Sequence, residues 1–217
     1  MTAYFITGID TDVGKTYATA FLYNQFSQTH TTITQKIVQT GNTGISQDII
    51  THRQLTNTPF TKFDTDGITC PYTFSKAASP HLSARLENTI IKPNKISQAT
   101  QRLEQHYQIV LLEGAGGIFT PLTDTLTTLD YITAQDYPVI VVTCAKLGSI
   151  NHTLLTLSAI SQQGLIIDSV VFNHYFDNDI QISQSTQEFL QSYLAIHYPK
   201  VKWIDMPKFI PNNHSFS

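Results

Sequence analysis

Short runs of β-branched and aliphatic residues recur along the chain at 3–7, 32–38, 108–112, 138–143, 166–173 and, more weakly, 202–205. Each is strand-sized and several are apolar almost throughout, as strands covered on both faces are. Between them stand longer segments with apolar residues spaced three and four apart, at 15–28, 95–106, 151–163 and 179–197, which predict helices. Strand and helix alternate, so the pattern predicts an α/β fold with a mostly parallel central sheet flanked by helices. In such sheets ligands gather outside the carboxyl ends of the strands. That rule selects five candidate loops: 8–16, 39–48, 113–121, 146–152 and 173–174. The stretch 56–79, rich in Thr, Pro, Gly and Asp, predicts an irregular excursion, and no repeat, low-complexity tract or heptad pattern interrupts the alternation.

Composition narrows this picture. A chain of 217 residues suits one α/β domain, here residues 1–217. Charged residues make up 13 % and the net charge is -3, against about 25 % charged residues in an average domain. Neither nucleic acid nor an anionic membrane is indicated as a partner. Cys70 and Cys144 lie far apart in apolar stretches, which fits reduced core thiols better than a disulfide. The first residues carry no basic leader, and the longest later apolar runs, 109–112 and 139–142, are strand-sized. A soluble, cytoplasmic protein is expected.

The first loop is the most informative. Gly8-Ile-Asp-Thr-Asp-Val-Gly14-Lys15-Thr16 follows a strand and opens a helix. Its end matches the phosphate-binding G-x-x-x-x-G-K-[ST] pattern, in which backbone N–H groups cradle phosphates, the lysine reaches the β/γ oxygens and the hydroxyl meets Mg²⁺. Five residues, not four, separate Gly8 from Gly14, so the strict spacing fails by one insertion. Two carboxylates could complete a Mg²⁺ site. Glu113 closes a strand and precedes the glycine run Gly114-Ala115-Gly116-Gly117, while Asp48 reads equally as a Mg²⁺ ligand or as a dipole-favoured acid in a helix's first turn. Lys36, among the apolar Ile33, Ile37 and Val38, needs an anionic partner or a route to solvent. Ser79-Pro80-His81 reads as a helix cap with proline at the first helical position, not as a nucleophile and base. The eight histidines show no zinc-ligand spacing.

These residues fall into a known order. Thr7-Gly-Ile-Asp-Thr-Asp-Val-Gly-Lys-Thr16, Lys36-Ile-Val-Gln-Thr-Gly41, Pro71-Tyr-Thr-Phe74, Ser79-Pro-His81, Glu113-Gly-Ala-Gly-Gly117, Phe119-Thr-Pro-Leu122 and Lys146-Leu-Gly-Ser-Ile-Asn-His152 together resemble the dethiobiotin synthase family up to about Asn173. The family's loop shares the additional residue. The resemblance implies a P-loop NTPase-like three-layer sandwich and a homodimer. It also implies a reaction that joins 7,8-diaminononanoate, CO₂ and ATP into dethiobiotin, ADP and phosphate. It implies that Lys36, Lys15 and Thr11 are catalytic, and that Thr16, Asp48 and Glu113 hold Mg²⁺ and the ATP phosphates. Asp12, Val13, Gly14, Lys15, Thr16, Tyr17, Gly114, Ala115, Gly116, Asn173 and His174 are expected at the nucleotide. Thr11, Lys36, Thr40, Gly148, Ser149 and Asn151 are expected at the diamine, the last three through N–H groups that suit its carboxylate tail.

Asp12 stands where Glu is frequent in the family, Ile37 where Pro is and Thr40 where Ser is; charge or hydroxyl chemistry is kept at both polar positions. Beyond Asn173 the motifs fade, so His174, Phe189 and Met206-Pro207 have no anchor in the resemblance. Read without it, Asn173 is first of all a turn former. Three rival readings share parts of this pattern. A partitioning or metal-cluster switch would carry a further lysine near the loop's start, and Ile9–Val13 holds none. An amidating relative would add a glutaminase domain. An inactive regulator would not need Lys36, Asp48 and Glu113 together.

Overall fold

The computed structural model describes residues 2–210 and 215–216. Strand β1 (Thr2–Gly8) leads through the phosphate loop into helix α1 (Lys15–Phe26), and then into β2 (Thr32–Lys36) and the short β3 (Gln39–Thr40). Helices α2 (Gln47–Leu55) and α3 (Lys62–Thr65), strand β4 (Thr73–Phe74) and helices α4 (Pro80–Leu86) and α5 (Pro93–Glu104) follow. Next come β5 (Ile109–Gly117), α6 (Thr128–Gln135), β6 (Val139–Cys144), α7 (Ser149–Gln162) and β7 (Ile167–Asn173). A 3₁₀ turn (His174–Phe176), α8 (Ile180–His197), β8 (Lys202–Met206), β9 (Phe209–Ile210) and β10 (Ser215–Phe216) complete the order.

Six strands form one sheet in the order β2-β5-β1-β6-β7-β8, and every neighbouring pair is parallel. Successive residues of a strand point to opposite faces, and the core divides accordingly. Phe5, Leu112, Val141 and Val170 face one way, where they meet Ile96 of α5, Leu129 of α6 and Leu157 of α7. Ile6, Leu111, Val142 and Val171 face the other way, toward Ala18 and Leu22 of α1. The result is the expected three-layer α/β sandwich. Each fully buried side chain of this size contributes about 1.5–3 kcal/mol. The strands' exit direction is therefore fixed by packing far from the loops that follow them.

Several boundaries moved for identifiable reasons. Strand β5 runs five residues past the predicted 112, because the glycines continue the ladder as far as Gly8↔Gly117 after an irregularity between Ile6 and Gly8. Helix α5 starts at Pro93, whose ring presets the first helical φ. Helix α6 was not among the four predicted helices; a capping box between Thr127 and Asp130 starts it. The excursion 56–79 is only partly irregular, since it contains α3 and β4. Helix α4 does begin after Ser79 with Pro80 in its first turn, but the Ser79 hydroxyl makes no cap bond. It pairs instead with His81 Nδ1 at 3.0 Å, correcting the expected cap. Cys70 and Cys144 are buried free thiols, and burial raises the Cys70 pKa. Among the described residues no helix is long and apolar enough to cross a membrane.

Candidate active site

The carboxyl ends of β1, β2 and β5 converge on a cleft of about 650 Å³, within the roughly 300–1,000 Å³ of small-molecule sites. At its floor the phosphate loop enters α1 through Gly14, held at φ 87° with no side-chain cap on the helix and no acidic residue in its first turn. The first N–H groups of α1 thus point at the cleft, where an anion would meet them. Only glycine suits that left-handed position, and a Cβ there would also collide with the Asn173 amide. Asn173, at the end of β7, is buried. It donates through Nδ2 to the Val13 carbonyl at 2.9 Å and accepts from the Tyr175 N–H at 3.0 Å. Lys146 Nζ holds the Asp12 carbonyl at 2.7 Å and lies 4.1 Å from the Phe176 ring centre.

Lys15 is buried, and its ammonium donates to the Asp10 carbonyl at 2.8 Å. Burial, then the nearby Lys36, lowers its pKa to about 8. A phosphate in the cleft would supply the opposite charge that Lys15 is short of.

Lys36 answers the question its sequence context raised. It ends the edge strand β2 yet is buried, and its ammonium touches Asp48 Oδ2 at 2.7 Å, Glu113 Oε1 at 2.9 Å and the Gly114 carbonyl at 2.9 Å. Burial opposes its charge, but Glu113 and Asp48 outweigh that and hold its pKa above the ordinary lysine value. Glu113 is the mirror case: burial opposes ionisation, while Lys36 and His52 hold its carboxyl well below the usual range. Its Oε1 also accepts from the Thr16 hydroxyl at 3.0 Å, and its Oε2 lies 2.8 Å from His52 Nε2. Asp48 occupies the first turn of α2, as its helix-dipole reading expected, and its carboxylate also faces Lys36 in the cleft.

Thr11, Asp12, Gly14, Lys15, Thr16 and Tyr17 line the cleft, as do Lys36, Thr40, Asp48, Glu113, Ala115, Gly116 and Asn173. Val13 and Gly114 take part through backbone carbonyls. Four candidates lie elsewhere. Gly148, Ser149 and Asn151 start α7, where Gly148 adopts the left-handed conformation and leaves the helix without a side-chain cap. His174 borders a separate shallow groove with Asp177 and Asp205. Sequence reasoning missed His52, whose lone ring carries no local signal. It also missed Phe176 and Phe209 in the cleft wall; of these, Phe209 stands 5.2 Å from the Tyr17 ring.

Mg²⁺ takes oxygen ligands and keeps several waters and phosphate oxygens, with one or two carboxylates. The Thr16 hydroxyl and the Asp48 and Glu113 carboxylates form such a set at the phosphate loop, all within contact of Lys36 or of each other. No group of three or more His, Cys, Asp or Glu side chains able to cage a metal occurs among the described residues.

Comparison with known proteins agrees with this geometry. A family model described as an AAA domain matches residues 2–198. ATP-dependent dethiobiotin synthetase BioD 2 of Haemophilus ducreyi is 49 % identical over 205 residues, covering 94 % of this chain and 97 % of its own. ATP-dependent dethiobiotin synthetase BioD of Chlorobaculum tepidum is 45 % identical over 190 residues, covering 87 % and 80 %. Among solved structures, a ParA family ATPase from Chlorobium tepidum superposes with a TM-score of 0.58 at 14 % identity, covering 98 % of this chain and 87 % of its own. At that identity the likeness speaks for the P-loop fold alone. With Gly14-Lys15-Thr16 at a helix start and Lys36 clamped between Asp48 and Glu113 above it, the chain belongs to the ATP-dependent dethiobiotin synthetase family.

Proposed function

We infer that this protein closes the ureido ring of dethiobiotin from 7,8-diaminononanoate, CO₂ and ATP, releasing ADP and phosphate, as a ligase of biotin biosynthesis. The observation that carries the reading is Lys36: a buried ammonium bonded to two carboxylates, opening on the same cleft as Lys15 and Thr16.

In this reaction one substrate amine adds CO₂ and sheds a proton to become a carbamate. A carbamate oxygen then takes the γ-phosphoryl group while ADP leaves, and the second amine attacks the carbonyl carbon and expels phosphate. No protein nucleophile is required. The side chains instead hold reactants in line and offset charge, as in phosphoryl transfer generally. Lys15 and Lys36 supply fixed positive charge beside the phosphates and the carbamate. Thr11 and Thr40 orient the reacting nitrogens and carbamate by hydrogen bonds. Thr16, Asp48 and Glu113 would hold Mg²⁺, which when bound neutralises phosphate charge. Asn173 and, from its neighbouring groove, His174 are assigned to the adenine. The diamine's carboxylate tail is assigned to the N–H groups at Gly148, Ser149 and Asn151, approached in a homodimer. Residues 1–217 act as one domain, in the cytoplasm, without nucleic-acid or membrane partners.

Purified protein with Mg-ATP should release phosphate only when diamine and bicarbonate are both present, with dethiobiotin as the product. ATP turnover indifferent to the diamine would overturn this reading.

A further inference from the structure

Helix α2 delivers two side chains to the site, one turn apart. Asp48 and His52 share a face at i, i+4; Asp48 meets Lys36 and His52 meets Glu113. The helix is held in place at its start, where Ser46 Oγ donates to Gln39 Oε1 at 2.6 Å and the Asp48 N–H bonds the same oxygen at 3.1 Å. His52 is wholly buried. An ionised carboxylate only accepts hydrogen bonds, so Nε2 of His52 carries the hydrogen that Glu113 Oε2 receives.

The other ring nitrogen is the informative one. His52 Nδ1 is buried and has no hydrogen-bond partner among the described residues. A side chain serving packing alone would avoid leaving a polar atom in that state. Among the described residues the ring's one bond goes to the Glu113 carboxylate, and it is the only bond to Oε2. The opposite oxygen, Oε1, carries both functional contacts, to Thr16 and Lys36. Fixing Oε2 therefore fixes which way Oε1 presents itself to the hydroxyl and the ammonium.

We propose that His52 is a positioning residue that orients Glu113 toward Thr16 and Lys36, so that a divalent cation and the phosphates meet a preset oxygen. This rests on Glu113 acting at the phosphate site as proposed above. Partners of this kind, standing behind a metal ligand, typically change metal affinity or activity about 10- to 100-fold when removed.

The test compares wild type, His52→Leu and His52→Gln, the glutamine amide reaching about as far as Nε2. Mn²⁺ binding in the presence of ADP is measured by electron paramagnetic resonance, alongside magnesium-free ADP affinity, thermal unfolding and kcat against KM for ATP. His52→Leu should stay folded and bind ADP within about twofold of wild type, while losing about 10- to 100-fold in Mn²⁺ affinity and in kcat. His52→Gln should recover most of both. Unchanged Mn²⁺ affinity in folded His52→Leu would overturn the proposal, as would equal impairment of both variants. Should His52→Leu not fold, His52→Asn replaces it. Its amide sits where Nδ1 does and misses Glu113, so the same Mn²⁺ loss is expected and wild-type affinity overturns the proposal. The Mn²⁺ comparison needs no diamine, so it stands apart from whether dethiobiotin is the product.

Discussion

Two buried ion clusters sit side by side on the same two elements, and only one faces the cleft. Thr34 of β2 and Arg53 of α2 belong to the first; Lys36 of β2 and Asp48 and His52 of α2 belong to the second. Arg53 grips Asp64 with two parallel bonds of 3.1 and 2.8 Å and donates to Thr34 at 3.0 Å. The Asp64 oxygens also accept from the Thr69 hydroxyl and the Thr61 N–H. Burial opposes ionisation of Asp64, but Arg53 and these donors lower its pKa. Its side chain is 0 % exposed, whereas Asp48 beside Lys36 is 20 % exposed. The Arg53 cluster is closed and ties the 56–79 excursion to the sheet. The Lys36 cluster is equally well paired but opens on a cavity that a phosphate can enter. Buried charge marks chemistry only where a substrate can reach it.

That contrast can be broken by experiment. The largest effect should come from Lys36→Met, which removes the site's bridging charge: turnover is expected to fall at least about 10²- to 10³-fold. Magnesium-free ADP binding should persist through the phosphate loop. Turnover near wild type would make Lys36 as structural as Arg53. Asp64→Ala should do the reverse, lowering unfolding free energy by about 3–5 kcal/mol because Arg53 is left as an unpaired buried charge. Turnover per folded molecule should not change, and a stable but inactive Asp64→Ala would erase the distinction.

The smallest effect concerns a third charged group. Both ring nitrogens of His174 face carboxylates, Asp177 at 2.6 Å and Asp205 at 3.1 Å. Burial opposes its charge, but the two aspartates raise its pKa above 6.5. The stability this pairing contributes is fully present below the unfolded-state value and is lost as pH rises through the folded one. The stability gap between wild type and Asp205→Asn should therefore be widest near about pH 5.5 and close toward about pH 8.5. A gap that grew with pH would contradict the assignment.

Much of this was readable from the chain. Runs of β-branched and aliphatic residues predicted all six strands of the main sheet, most clearly β6, which is buried along its whole length, and only weakly the edge strand β8, which is largely uncovered. Lys36 stood out because a lysine among buried neighbours has to be paired. Its partners could not be read, since Glu113 lies 77 residues away in sequence and only the β2–β5 register, which aligns Lys36 with Glu113, brings them together. Helix α6 escaped because its short Thr-Leu-Asp-Tyr-Ile start is weakly periodic, although the Thr127–Asp130 cap announces it. His52 escaped for a deeper reason: a residue acting through another leaves no motif of its own. Gly148, Ser149 and Asn151, which the motif order groups with the site, start α7 outside the cleft that one copy of the chain forms.

The bond from Asn173 to the Val13 carbonyl bears on how far the phosphate loop can be treated as a module. β7 and β1 are not neighbours, for β6 lies between them, yet the loop after β1 relies on a side chain at the end of β7. Grafting residues 8–16 onto another parallel-sheet scaffold would leave the Val13 carbonyl without its donor and Gly14 without the amide it packs against. The longer loop is thus not a portable cassette, and a designer who wanted it would have to transplant the tip of a distant strand as well.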